Sequence, residues 1–105
     1  MKMIRAIIRP DSADEVSDGL ADAGFVSMTK ENVFGRGKEK GLTLGAAHYD
    51  ELPKTMIMVV VEDAQVKDAL KIIQYKAYTG NIGDGKIFIS SVEDTVTVRT
   101  GSHDL

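Results

Sequence analysis

Thr55-Met56-Ile57-Met58-Val59-Val60-Val61 is the stretch on which the fold turns. A strand with one wet face alternates apolar and polar residues, whereas an unbroken apolar run of strand length fits a strand covered on both faces. We therefore read it as the central strand of a sheet. Beyond it, Asp63 stands where a helix cap would be, and Val66, Ala69, Leu70, Ile73 and Ala77 fall at i, i+3, i+4, i+7 and i+11, one continuous apolar stripe. That helix should end near Thr79-Gly80. Lys86 to Ile89 then reads as a strand, and Val92 to Arg99 as a further one, because Val96 and Val98 alternate with polar residues. The tail from Thr100 to Leu105 reads as frayed.

Upstream of the central run, Leu52-Pro53 closes a long loop that begins at Gly35 and carries Gly37, Gly41 and Gly45 with little periodicity. Loops longer than about a dozen residues with no structure of their own are usually functional. Phe25 to Phe34 is extended in character. Ser12-Ala13-Asp14-Glu15 has the Ser-x-x-Glu form of a capping box, and Ala13, Val16, Leu20 and Ala23 follow at helical spacing up to a stop at Gly24. Met1 to Pro10 alternates as a first strand. The order is strand, helix, strand, strand, helix, strand, which predicts an α+β fold of the ferredoxin-like split βαβ kind (βαββαβ), with an additional C-terminal strand and a long loop between strands 2 and 3. Both helices cover one face of such a sheet. Ile7, Met56, Met58 and Val60 put apolar side chains on the other, so a homo-oligomer that stacks the open faces is expected.

The 105 residues fit one domain, here read as 1–105, with 13 basic and 16 acidic side chains and a net charge of -3. That balance gives no long-range attraction for nucleic acid, so no nucleic-acid partner is expected. There is no cysteine, hence no thiolate metal site and no thiol nucleophile, and no Ser-His pair is suggested by position. No enzymatic role is expected. The start, Met1-Lys2-Met3-Ile4-Arg5, lacks the apolar run of a signal peptide and no stretch has membrane-spanning length, so the expectation is a cytoplasmic protein without direct membrane insertion.

Between the second helix and the next strand lies Thr79-Gly80-Asn81-Ile82-Gly83-Asp84-Gly85-Lys86. Glycines at positive φ let successive backbone N–H groups line a concavity for an anion, and Lys86 adds a full charge. The spacing imitates a Walker motif, but Ile87 stands where the magnesium-binding hydroxyl would be, and a strand follows where a P-loop needs a helix. A second glycine segment, Gly35-Arg36-Gly37-Lys38-Glu39-Lys40-Gly41, is not a dinucleotide fingerprint either. Arg36, Lys38, Lys40, Lys86 and Arg99 form a set of cations beside glycines or at strand ends, which a polyphosphate would explain. Flexible turns with solvated charges explain it equally; the residues alone leave both readings open.

Taken in order and spacing, Gly35-x-Gly37-Lys38-Glu39-Lys40-Gly41, Leu52-Pro53-Lys54, Thr79-Gly80-x-Ile82-Gly83-Asp84-Gly85-Lys86-Ile87-Phe88 and Val98-Arg99-Thr100-Gly101 resemble the PII nitrogen-regulatory signal proteins over nearly the whole chain. The form Gly-Arg-Gly-Lys-x-Lys-Gly-Leu is most similar to the branch encoded beside nitrogenase genes in archaea and some anaerobic bacteria. The resemblance implies a trimer that binds ATP or ADP between neighbouring subunits, and 2-oxoglutarate at the base of a protruding T-loop, here about residues 36–52. It implies that Ile7, Thr29 and Val60 surround the adenine, and that Gly37, Lys38, Gly83, Asp84, Gly85, Lys86 and Arg99 lie at the phosphates. It further implies Glu39, Lys40, Gly41, Lys54 and Gly83 at the 2-oxoglutarate, with Glu39 at a Mg2+ ion that accompanies ATP. The implied partner is nitrogenase or another nitrogen-metabolism protein, reached through Leu42, Leu44, His48 and Tyr49, by a homotrimer or a mixed oligomer with a paralogous PII subunit. The alternative it leaves is control of an ammonium transporter, although the loop lacks the arginine that pore-blocking members insert.

The chain departs from the family pattern at several of these positions. Glu39 replaces a usual glutamine; a carboxylate can hold the metal, but its charge would sit close to a dianionic 2-oxoglutarate and disfavour it. Asn81 and Thr97 stand where a lysine and an arginine are common, which removes two phosphate-facing cations, and Met58 replaces a glutamate near the adenine. The loop is shorter than in the members that are uridylylated on a tyrosine, and Tyr49 lies outside that motif, so no uridylylation is expected. His48 and His103 are remote from each other in sequence and read as bland rather than as metal ligands. Tyr75 and Tyr78 read as packing or interface residues, and Asp14, Asp18 and Asp22 as a solvated acidic ridge.

Overall fold

The structure, a computed structural model, describes residues 1–37, 42–44, 47–49 and 51–105, of which 42–44 and 47–49 are described by their backbone. Strand β1 spans Lys2–Ile8, helix α1 Ala13–Asp22, strand β2 Thr29–Gly35, strands β3 and β4 Leu42–Leu44 and Ala47–Tyr49, strand β5 Leu52–Val61, helix α2 Val66–Ala77 and strand β6 Gly85–Ser91. Four strands form one antiparallel sheet in the order β2-β5-β1-β6. This is the ferredoxin-like α+β arrangement that the element order predicts, with the run at 55–61 at its centre.

Alternation along the central strands decides what faces the helices. Ile4, Ala6 and Ile8 of β1 and Ile57, Val59 and Val61 of β5 are buried against Val16 and Leu20 of α1 and Ala69, Ile73 and Ala77 of α2. Each Ile, Val or Leu side chain so withdrawn from water contributes on the order of 1.5–3 kcal/mol, each alanine less, and together they hold the two layers closed. Gly19 lets the helices approach, since a Cβ there would stand 3.2 Å from Ile72 Cγ2. The opposite face of the sheet carries Ile7, Met56, Met58 and Val60, all half-buried, with Lys54 and the half-exposed Phe88. No helix among the described residues is long and apolar enough to cross a membrane.

Four local expectations are corrected. Ser12 does not close a capping box: Pro10 starts a 3-10 turn over Pro10–Ser12, so Ser12 already has helical dihedrals (φ -91, ψ -11) and its side chain makes no cap bond. Asp63 likewise does not cap α2: it opens a 3-10 turn over Asp63–Gln65, and the helix begins at Val66. Its carboxylate takes the ammonium of Met1 at 3.0 Å, a full charge in place of a backbone amide. The segment expected to be a C-terminal strand, Val92 to Arg99, is not one. Alternation at Val96 and Val98 says which side chains a strand would share, but a strand exists only where its backbone pairs, and this segment joins neither edge of the sheet, β2 or β6, and leaves Val98 fully exposed. The segment closes on itself instead, and with it the tail expected to fray. Thr97 N–H donates to Ser102 O at 2.8 Å, Gly101 N–H to Thr97 O at 2.8 Å, and His103 Nδ1 lies 2.9 Å from Asp94 Oδ2.

The long loop also differs from its reading as unstructured. β3 and β4 pair within it, Leu42 opposite Tyr49 and Leu44 opposite Ala47, and β5 already begins at Leu52, opposite Gly35. Gly24 does stop α1 as expected. It sits at φ 97, with Phe25 N–H donating back to Leu20 O at 2.8 Å and Gly24 N–H to Ala21 O at 3.0 Å, a Schellman closure.

Candidate functional site

The loop from Thr79 to Asp84 is folded around one carboxylate. Asp84 accepts the N–H groups of Thr79 and Gly80 at 2.8 and 2.9 Å and the hydroxyl of Thr79 in a short contact. The Thr79 hydroxyl in turn accepts the Asn81 N–H at 3.2 Å. These bonds hold the Asp84 carboxyl down to about 2, the Thr79 hydroxyl contributing most, then the Thr79 and Gly80 amides and the Arg9 guanidinium. Gly80 and Gly83 turn the chain at φ 85 and 98, values that side-chain-bearing residues rarely adopt.

A depressed carboxylate stabilises the fold at pH values above its unfolded value and loses that contribution as pH falls through its folded value. The loop's share of stability should therefore disappear between the ordinary value of 3.8 and about 2. Asp84→Asn should lower the melting temperature at neutral pH, and its difference from the wild type should shrink towards zero across that window. Paired thermal melts measure this, and a difference independent of pH would remove the carboxylate from the role given to it.

Two cations from neighbouring strands lean onto the same loop. Arg9, just past the end of β1, donates from Nη2 to Ile82 O at 2.6 Å and from Nε to Asp84 Oδ1 at 3.3 Å. Lys54 of β5 donates from Nζ to Gly83 O at 3.0 Å. Burial and the nearby Arg9 charge lower the Lys54 pKa, against a smaller opposing effect of Asp84 and Asp11. With Asp84 and the carbonyls of 82 and 83 engaged, the N–H groups of Ile82 and Gly83 find no acceptor among the described residues. Two such backbone donors, four and three residues before Lys86 in the chain, are the chemistry of an anion cradle. Immediately after it, Gly85 enters β6 at φ 125 so close to β1 that a Cβ would stand 2.1 Å from Ile7 O.

Of the residues expected at the site, the fold brings together Ile7, Lys54, Gly83, Asp84, Gly85 and Lys86. Lys86 is directly opposite Ile7, and Ile7 opposite Met56, one strand pair from Lys54. Thr29, opposite Met58, and Val60, opposite Met3, share the open face. Val60 lies four residues along β5 from Met56, about 13 Å at strand rise. Arg99 is not brought to the loop: it sits in the turn Val98–Thr100 and makes no hydrogen bond to residues 79–86. A Cβ added at Gly37 would meet nothing within 4 Å among the described residues. Lys38, Glu39, Lys40 and Gly41 lie outside the described residues, as do the side chains of Leu42, Leu44, His48 and Tyr49, whose backbones form the β3–β4 ladder. Among the described residues no three His, Asp or Glu side chains gather as for a metal ion.

Reading the sequence for cations next to glycines passed over Arg9, the residue most engaged with the loop. Its position between a strand and Pro10 is the signal that was available. Asp84, expected at the phosphates, has its carboxylate engaged with the loop's own donors and with Arg9.

The family model described as Nitrogen regulatory protein P-II matches residues 1–102. The chain is 60% identical over its full length, and that of its relative, to the nitrogen fixation nifHD2 region GlnB-like protein 1 of Methanosarcina barkeri. It is 55% identical, again over 100% of both chains, to the nifHD region GlnB-like protein 1 of Methanothermobacter marburgensis. It is 47% identical to the nitrogen regulatory protein P-II of Azospirillum brasilense, over 96% of this chain and 94% of that one. Taken with the βαββαβ sheet and the glycine loop at its end, these matches establish that the chain belongs to the nitrogen regulatory protein P-II family, on the branch that holds the nifHD-region GlnB-like proteins.

Proposed function

We propose that this P-II protein is an adenine-nucleotide sensor: ATP with Mg2+, or ADP, binds at the loop 79–86, and the T-loop of residues 36–52 reports the bound state by docking on nitrogenase. The observation that carries this reading is the pair of amides, Ile82 and Gly83, without an acceptor among the described residues, in the loop that leads into Lys86 at the end of the sheet. A phosphate group supplies the acceptors those donors lack. Ile7, Thr29 and Val60 would receive the adenine, Gly37, Lys38 and Arg99 the remaining phosphate contacts, and Glu39 the magnesium. Thr29 and Val60 stand well along the sheet from the loop, and Arg99 stands apart from it, so a complete site needs a second copy or a paralogous subunit at the open face. Lys54, with Lys40 and Gly41 from the other end of the long loop, would take a carboxylate of 2-oxoglutarate.

Ligand energy reaches the T-loop only through differential binding to its states. Titration calorimetry with Mg2+ and ATP, with and without 2-oxoglutarate, tests the reading. Binding strengthened by 2-oxoglutarate supports the two-ligand sensor. Binding indifferent to it restricts the protein to adenylates, and absence of nucleotide binding refutes the proposal. Deleting residues 42–50 should abolish inhibition of nitrogenase while leaving the ATP isotherm within a factor of about two, since additivity holds for sites without shared partners. Loss of nucleotide binding in that variant would overturn the division between sensing and docking.

A further inference from the structure

Arg9 and Lys54 continue β1 and β5 side by side, one step beyond the pair Ile8–Thr55. Two cations in this position repel each other, so their convergence on one peptide segment needs a reason. Arg9 takes Ile82 O at 2.6 Å, Lys54 takes Gly83 O at 3.0 Å, and the Arg9 fork closes on Asp84 at 3.3 Å. Gly83 makes room for the fork, since a Cβ there would stand 3.2 Å from Arg9 Nη2. In a planar trans peptide the C=O and the N–H of one unit point in opposite directions. The guanidinium that grips Ile82 O therefore turns the N–H of Gly83, its partner in the same peptide plane, away from the strands. That N–H is one of the two without an acceptor among the described residues.

We propose that Arg9 is a positioning residue of the anion cradle: by holding Ile82 O and Asp84 together it fixes the outward aim of the Gly83 amide. This rests on the reading of the loop 79–86 as a phosphate site. The role follows from tertiary geometry alone, because 73 residues separate Arg9 from Ile82. An arginine suits it better than a lysine, as its rigid fork reaches a carbonyl and a carboxylate at once.

The test compares wild type, Arg9→Lys and Arg9→Gln in the full chain, by amide hydrogen exchange without ligand and by titration with Mg2+ and ATP. In Arg9→Gln the amides of Thr79, Gly80 and Asp84 should exchange at least about tenfold faster than in wild type, while those of Ile4, Ala6 and Ile57 in the central ladder keep their rates. Affinity for Mg-ATP should fall by about the same factor, with Arg9→Lys intermediate in both readouts. Lower affinity with unchanged exchange at Thr79 and Gly80 would overturn the proposal, because it would make Arg9 a direct ligand contact. Unchanged exchange and unchanged affinity would also overturn it. Should the Arg9→Gln ladder itself open, Arg9→Lys, which retains the charge, decides by the same comparison. If wild type fails to bind Mg-ATP, the nucleotide reading falls, and the exchange difference alone still decides whether Arg9 holds the loop.

Discussion

Gly85→Ala should lower the melting temperature by roughly 12–24 °C, the largest change expected from a methyl added at any glycine among the described residues. The added Cβ would stand 2.1 Å from Ile7 O, well inside contact, and the obstacle is backbone of the neighbouring strand rather than a side chain that could swing aside. The residue would also have to keep φ 125, a region essentially closed to alanine. Relieving either means parting β6 from β1 at Ile8–Gly85, the first rung of their ladder. Strain and lost pairing together cost about 3 kcal/mol or more, a large share of the stability of a domain this size. Differential scanning calorimetry measures it. A melting temperature within a degree or two of wild type would mean that β1 and β6 do not meet as closely at this point.

One residue further on, Lys86→Ala should leave the fold alone and weaken nucleotide binding by roughly tenfold to hundredfold. Lys86 is exposed, opposite Ile7 on the open face, away from the core. Exposed substitutions of this kind change stability by about 0.5 kcal/mol or less. A hydrogen bond from a charged donor to a phosphate contributes about 1.5–3 kcal/mol, which sets the expected loss of affinity. Calorimetric titration with Mg-ATP beside a thermal melt reads both effects. Unaltered affinity would remove Lys86 from the phosphates, while a collapse of the melt would give it a structural role instead. The neighbouring pair, Gly85 for the fold and Lys86 for the ligand, separates the two functions of a single loop.

What was readable in the sequence was whatever a few residues decide among themselves. The stripe from Val66 to Ala77 lies on the face that α2 buries, because helical period is a property of the segment. The glycine loop was recognisable because positive φ is a local demand that few residues but glycine meet. Where a signal depends on what precedes it, reading failed: Pro10 moved the helical turn upstream of Ser12 and left the capping box unused. Asp63 is displaced from the cap in the same way, by a 3-10 turn over Asp63–Gln65, and its carboxylate meets the ammonium of Met1, 62 residues away.

The order of elements and their apolar patterns determined the βαββαβ architecture, the central place of residues 55–61 and the position of a glycine loop at the end of the sheet. The tertiary structure decided how that loop works. Arg9 and Lys54 reach it from strands distant in sequence, and the contact between Ile7 O and Gly85 exists only once β1 and β6 lie side by side. It also closed Val92 to Arg99 on the chain's own tail, without a strand partner among the described residues. Period and propensity act within a few residues, whereas an ion pair, a close backbone approach or a strand's partner depends on groups that the chain brings together only by folding.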